Sequence, residues 1–85
     1  PHNVVIVRPG QADAVGKLAI DMGLNGIAQS HIPSSSQVLF HTKLMGPGSS
    51  ESIFFRAPAT PGNYQYVCTV PGHSQVMRGV LRVTP

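Results

Sequence analysis

Apolar runs in this chain are short, and glycine or proline punctuates them. His2 to Arg8 (His-Asn-Val-Val-Ile-Val-Arg) is largely β-branched and halts at Pro9-Gly10. Gln37 to Leu44 ends at Gly46-Pro47-Gly48-Ser49-Ser50, and Ser52 to Ala57 runs into a turn from Pro58 to Gly62. Asn63 to Cys68 precedes Pro71-Gly72, and Gly79 to Thr84 alternates Val80 and Arg82 with Leu81 and Val83. β-Branched side chains suit a pleated strand, whereas proline cannot donate to a ladder and glycine opens turns. Strand signals at this spacing predict an all-β, antiparallel sandwich.

One stretch breaks the pattern. Val15, Leu18, Ala19 and Met22 recur at i, i+3, i+4 and i+7, with Asp13 near the start, which predicts an amphipathic helix over Gln11 to Met22. Gly16 weakens that helix by about 1 kcal/mol relative to alanine, so packing on a sheet must hold it. Gly23 ends it. Leu24 to Ser36, with Gly26, Pro33 and three serines, reads as a helical turn or loop leading back to the sheet.

With 85 residues the chain can bury one modest core, so residues 1–85 read as a single domain. Hydrophobic residues at 41% against 11% charged favour a folded globule over disorder. The six basic residues (Arg8, Lys17, Lys43, Arg56, Arg78, Arg82) are scattered, so the net charge of +3 forms no nucleic-acid stripe. No run approaches the roughly 20 apolar residues that span a bilayer. No charged and apolar leader precedes Pro1; if the protein is exported, the expectation is a signal or anchor upstream of this sequence.

The chemistry concentrates between Tyr64 and Met77. Tyr-Gln-Tyr-Val-Cys68-Thr-Val-Pro-Gly-His73-Ser-Gln-Val-Met77 sets a thiolate, an imidazole and a thioether within ten residues. Cys68 leaves a β-prone run as the backbone turns, and Pro71-Gly72 bend His73 back toward the sulfur. Proline at 71 also removes one amide that would otherwise bond that sulfur. His2 supplies a second imidazole. Two histidines, one cysteine and a weak axial methionine describe an electron-transfer copper site. His31 has no ligand-like neighbours and reads as an exposed or loop-bonded histidine, His41 as a sheet-face histidine, and Met22 as core.

Together these motifs resemble the azurin and plastocyanin family of cupredoxins, on its azurin-like branch. Tyr-x-Tyr-x-Cys-Thr-x-Pro-Gly-His-x-x-x-Met carries the resemblance, with His2-Asn3 upstream and His41-Thr-Lys-Leu44 before a glycine-rich turn. It implies a Greek-key β-sandwich with one helical insertion, lacking here two N-terminal strands that would precede the first ligand. One type 1 (blue) copper ion is implied, held by His2, Cys68, His73 and Met77. Asn3, which in the family ties the ligand loops together, Thr69 and Val70 are implied to support those ligands. The family's apolar docking patch falls on Val70, Pro71, Gly72 and His73. A glycine carbonyl that approaches copper in azurin is replaced by that of Pro1, leaving a fifth weak contact open.

The implied function is one-electron transfer in a periplasmic or otherwise extracytoplasmic setting, as a carrier and not an enzyme. Partners would be redox proteins such as a cytochrome, or a fused dehydrogenase or haem domain, with no small-molecule substrate. The chief rival is a copper store or chaperone with exchangeable metal. A Cys-His hydrolase lacks an orienting Asn or Asp and would leave Met77 idle. Val67 and Thr69 stand where a multicopper oxidase has histidines, a binuclear copper centre needs two cysteines, and a thioether adds little to zinc.

Overall fold

Val5, Ile6 and Val7 are all buried, as befits a strand with neighbours on both edges and cover on both faces. This is β1 (Val5–Val7) of a computed structural model that describes every residue from Pro1 to Pro85. Next come α1 (Ala12–Asp21), a 3-10 segment (Gly23–Gln29), β2 (Val38–His41), β3 (Gly62–Val67) and β4 (Arg78–Val83). The strands form one antiparallel sheet in the order β2-β1-β3-β4.

Register decides what meets what. Val5 stands opposite His41 on one side and Val67 on the other, and Ile6 opposite Phe40 and Tyr66. Side chains alternate between faces, so Val5, Val7 and Val67 share the face on which α1 lies. Ala12 and Val15 of α1 complete that cluster, bordered by Ile32 and Val38. Each fully buried valine contributes roughly 1.5–3 kcal/mol over an exposed one, and this apolar contact holds α1 to the sheet. The exposed Lys17–Asp21 pair, 3.0 Å apart, adds little by comparison.

The same register gathers the chemistry. Because β1 and β3 are antiparallel, the start of β1 lies beside the end of β3, with Val5 paired to Val67. Val67 also pairs with Arg78, the first residue of β4. The segments carrying His2, Cys68 and Met77 therefore emerge at one end of the sheet.

Two expectations from sequence are corrected. Ser52 to Ala57 forms no strand; Phe55 instead stacks on Phe40 with ring centroids 4.4 Å apart, and Phe54 is 95% exposed. The short apolar run Ile53-Phe54-Phe55 between turn residues gave a strand signal, but that stretch joins no ladder. The buried face of α1 is Ala12, Val15, Gly16 and Ala19, while Leu18 is 42% exposed. A stripe rotated toward small residues lets the helix lie closer to its neighbours than the Leu18 and Met22 face would.

Candidate metal centre

His2 is fastened before any ligand chemistry is considered. Its amide donates to the Met45 carbonyl at 2.9 Å and its carbonyl accepts from the Met45 amide at 2.8 Å, an isolated antiparallel bridge. Two residues on, the Val4 amide donates to Thr42 Oγ1 at 3.0 Å, and the Val4 carbonyl accepts from the Thr42 amide at 2.9 Å. The Thr42 hydroxyl in turn donates to the Lys43 carbonyl at 2.8 Å. The segment from His41 to Met45 is thus a rail for the His2 arm.

Asn3 joins that arm to the cysteine segment. Its side chain is 2% exposed, and Oδ1 accepts the Thr69 amide at 2.8 Å while Nδ2 donates to Thr69 Oγ1 and to the Ser30 carbonyl, each at 2.8 Å. Thr69 Oγ1 then donates to the His31 carbonyl at 2.6 Å. Buried polar atoms are stable only when paired in this way. Ser30 and His31 both take left-handed backbone (φ 55 and 57), a costly geometry for non-glycine residues, and it presents both carbonyls to the ligand segments.

The closing loop is internally braced. The Cys68 amide donates to the Met77 carbonyl at 2.9 Å, the His73 amide to the Val70 carbonyl at 2.9 Å, and the Met77 amide to the His73 carbonyl at 2.8 Å. Gly72 at φ 86 makes the turn that reverses the chain toward His73.

The outcome is a convergence of donors. Cys68 Sγ lies 3.9 Å from His2 Nδ1 and 3.6 Å from His73 Nδ1, and all three atoms fall within 4.8 Å of one another. Bonds of about 2.0 Å to imidazole nitrogen and 2.3 Å to thiolate sulfur, as in zinc sites, put N and S about 3.7 Å apart at a trigonal angle. The two separations straddle that value, so a transition-metal ion fits between these atoms. Cys68 is buried, His73 half-buried and His2 exposed. Met77 is 38% exposed and lines a cavity of about 260 Å³ together with Cys68, Asn3 and Tyr66.

Other sequence readings fare variously. Thr69 is buried and bonded to Asn3, and Val70 supports His73 through its carbonyl; Pro71 and Gly72 are exposed beside it. His41 stays on the sheet edge, its Nδ1 2.8 Å from the Thr42 carbonyl. His31, read as exposed or loop-bonded, is 7% exposed, and its Nδ1 makes no hydrogen bond. Its ring lies over Gly26, where a β-carbon would approach Nδ1 to 2.6 Å. Thr42, Met45 and Ser30 had no sequence signal beyond the His41-Thr-Lys-Leu44 echo.

An antiparallel sheet with one helix, and a buried thiol flanked by two imidazoles at its open end, define a small metalloprotein of the cupredoxin class. The chain belongs to the copper-binding proteins of the plastocyanin/azurin family, whose sequence profile matches residues 1–84. It is 35% identical over 85 residues to Azurin-2 of Alcaligenes xylosoxydans xylosoxydans, covering 96% of this chain and 64% of that protein. It is 39% identical over 87 residues to the azurin of Achromobacter denitrificans, covering 98% and 56%. The crystal structure of dithionite-reduced auracyanin from Roseiflexus castenholzii superimposes with a TM-score of 0.85 at 41% identity, over 99% of this chain and 66% of that one. The fold is therefore the cupredoxin fold, and the chain spans about half to two thirds of the length of these relatives.

Proposed function

We propose that residues 1–85 act as a blue copper electron-transfer unit, with His2, Cys68 and His73 holding one copper ion and Met77 as a weak axial donor. The observation that carries this reading is the meeting of one thiol and two imidazole nitrogens within 4.8 Å, in a chain of a copper-binding family. Bound copper would supply one-electron chemistry between Cu(I) and Cu(II). The protein's contribution is to keep the donors still. Asn3 and Thr69 fix the His2 arm against the cysteine segment, and the Cys68–Met77 backbone bond closes the loop. Donors that barely move between oxidation states leave little rearrangement to slow transfer. Burial of Cys68 keeps water from the thiolate, while both imidazoles remain partly accessible as an exit for the electron.

Val70, Pro71, Gly72 and His73 form the docking patch in this reading, for a partner such as a cytochrome or a fused dehydrogenase or haem domain. We place the protein outside the cytoplasm, as a periplasmic carrier and not an enzyme; no helix is long and apolar enough to cross a membrane. The test is repeated oxidation and reduction of the copper-loaded protein in the presence of a chelator. A carrier keeps its copper through many cycles. Loss of the metal within the first few cycles would favour a store or chaperone and overturn the proposal.

A further inference from the structure

Between Pro71 and Met77 only one residue is buried, and it is the neighbour of a proposed ligand. Ser74 is 5% exposed, whereas Pro71, Gly72, Gln75, Val76 and Met77 all face solvent. What covers Ser74 is the middle of α1. A β-carbon built on Gly16 would stand 2.3 Å from Ser74 Oγ and 2.7 Å from Ser74 Cβ. Rotation about χ1 moves the hydroxyl out of the way but not Cβ, which is fixed to the loop backbone. Any side chain at 16 must therefore force apart α1 and the backbone directly after His73. Gly16 is a helix-weakening residue placed where the ligand loop touches the helix.

A second contact ties the same residue to the same helix. Arg78 Nε donates to the Ser74 carbonyl at 2.6 Å, and its Nη2 donates to Asp13 Oδ1 at 2.7 Å. One guanidinium thus ties the loop to the first turn of α1, while Gly16, one turn further along, receives the Ser74 side chain. The bond to Asp13 is charge-assisted, and that carboxylate orients the guanidinium toward the Ser74 carbonyl.

We infer that α1 is the seat of the ligand loop, and that Gly16 and Arg78 are positioning residues that set His73 against Cys68 by clamping Ser74. The copper-affinity and colour readouts of this inference rest on the copper reading, whereas the placement of His73 in metal-free protein does not. The helix is then more than core cover: it fixes one donor, as the His41 to Met45 rail fixes the other. Loss of a supporting residue at a metal site lowers metal affinity by about 10- to 100-fold, and a displaced His73 falls in that class.

The experiment compares Gly16→Ala, Ser74→Gly and the double variant, in the chain of residues 1–85, by copper affinity against a chelator, visible spectrum, and the His73 ring resonances of metal-free protein. Gly16→Ala alone is expected to weaken copper binding about 10-fold or more, alter the thiolate-to-copper band and shift the His73 resonances. The double variant, in which the colliding Cβ is gone, should return all three toward wild type. If Gly16→Ala does not fold, Arg78→Leu removes the second clamp without adding bulk inside α1, and should move the same signals in the same direction. Reduced thermal stability with His73 resonances, band and affinity unchanged would overturn the inference, as would a double variant no better than Gly16→Ala. If wild type shows no thiolate-to-copper band, the functional reading fails, and the metal-free resonances still decide whether α1 positions His73.

Discussion

The two halves of the candidate centre are built by opposite means. Cys68, His73 and Met77 sit on one loop between paired strands, and that loop carries its own backbone bonds from Cys68 to Met77 and from His73 to Val70. His2 has no such local frame: it is held by Met45, and its neighbours by Thr42, Ser30 and Thr69, residues 27 to 66 positions away for the side-chain bonds. A loop closed by adjacent strands keeps its ligands near one another even when the rest of the molecule loosens. A remote arm brings its ligand home only when the tertiary structure is complete.

Several measurements would break or sharpen this contrast. The largest effect is expected from His2→Ala, which removes a whole donor: copper affinity should fall beyond the roughly 10- to 100-fold typical of a lost supporting residue. Folding stability should stay within about 0.5 kcal/mol, because the side chain is exposed and the backbone bridge to Met45 remains. Chelator competition and denaturant unfolding read the two separately, and an unchanged affinity would remove His2 from the ligand set.

Asn3→Ala comes next. It deletes three hydrogen bonds and strands the buried Thr69 amide, so a loss on the order of 3 kcal/mol in unfolding free energy is expected. The copper band should broaden as the arm and the loop lose their common reference. A loss below 1 kcal/mol would mean that the arm is held elsewhere.

Thr42→Val keeps the shape and removes the acceptor of the Val4 amide and the donor to Lys43. About 1–2 kcal/mol should be lost, with the His2 ring resonances shifted and those of His73 unmoved. Movement of both rings together would erase the distinction between arm and loop. The smallest structural effect belongs to Met77→Leu, which should leave colour and copper content in place and shift the midpoint potential, since an axial thioether tunes the metal more than it holds it. Loss of copper in that variant would make Met77 a principal ligand.

Legibility in the sequence follows the same division. The loop was readable because its chemistry is local: strand, Pro-Gly turn, His73 and Met77 lie in a single run, and β3 and β4 form within a residue or two of where alternation put them. The Asn3 tie was legible only through family resemblance. The rail for His2 was not, because nothing in His41 to Met45 announces which amides it will meet. Ser52 to Ala57 misleads for the same reason, since a short apolar, aromatic run signals an extended backbone and not the presence of a partner strand. Periodicity placed α1 well but rotated its buried face, because a hydrophobicity pattern favours Leu18 and Met22 and cannot register that Gly16 has a serine lying on it. The burial of His31 is equally hidden in its sequence neighbours, because it depends on Gly26 lying against its ring.

The central claim is that His2, Cys68 and His73 bind one copper ion together, and a Cu(II) titration of wild type beside Cys68→Ser tests it most directly. One equivalent should produce an intense thiolate-to-copper absorption that saturates at one ion per chain and is absent in Cys68→Ser. Copper binding with the same weak colour in both proteins would place the ion on nitrogen and oxygen donors away from the sulfur and contradict the claim.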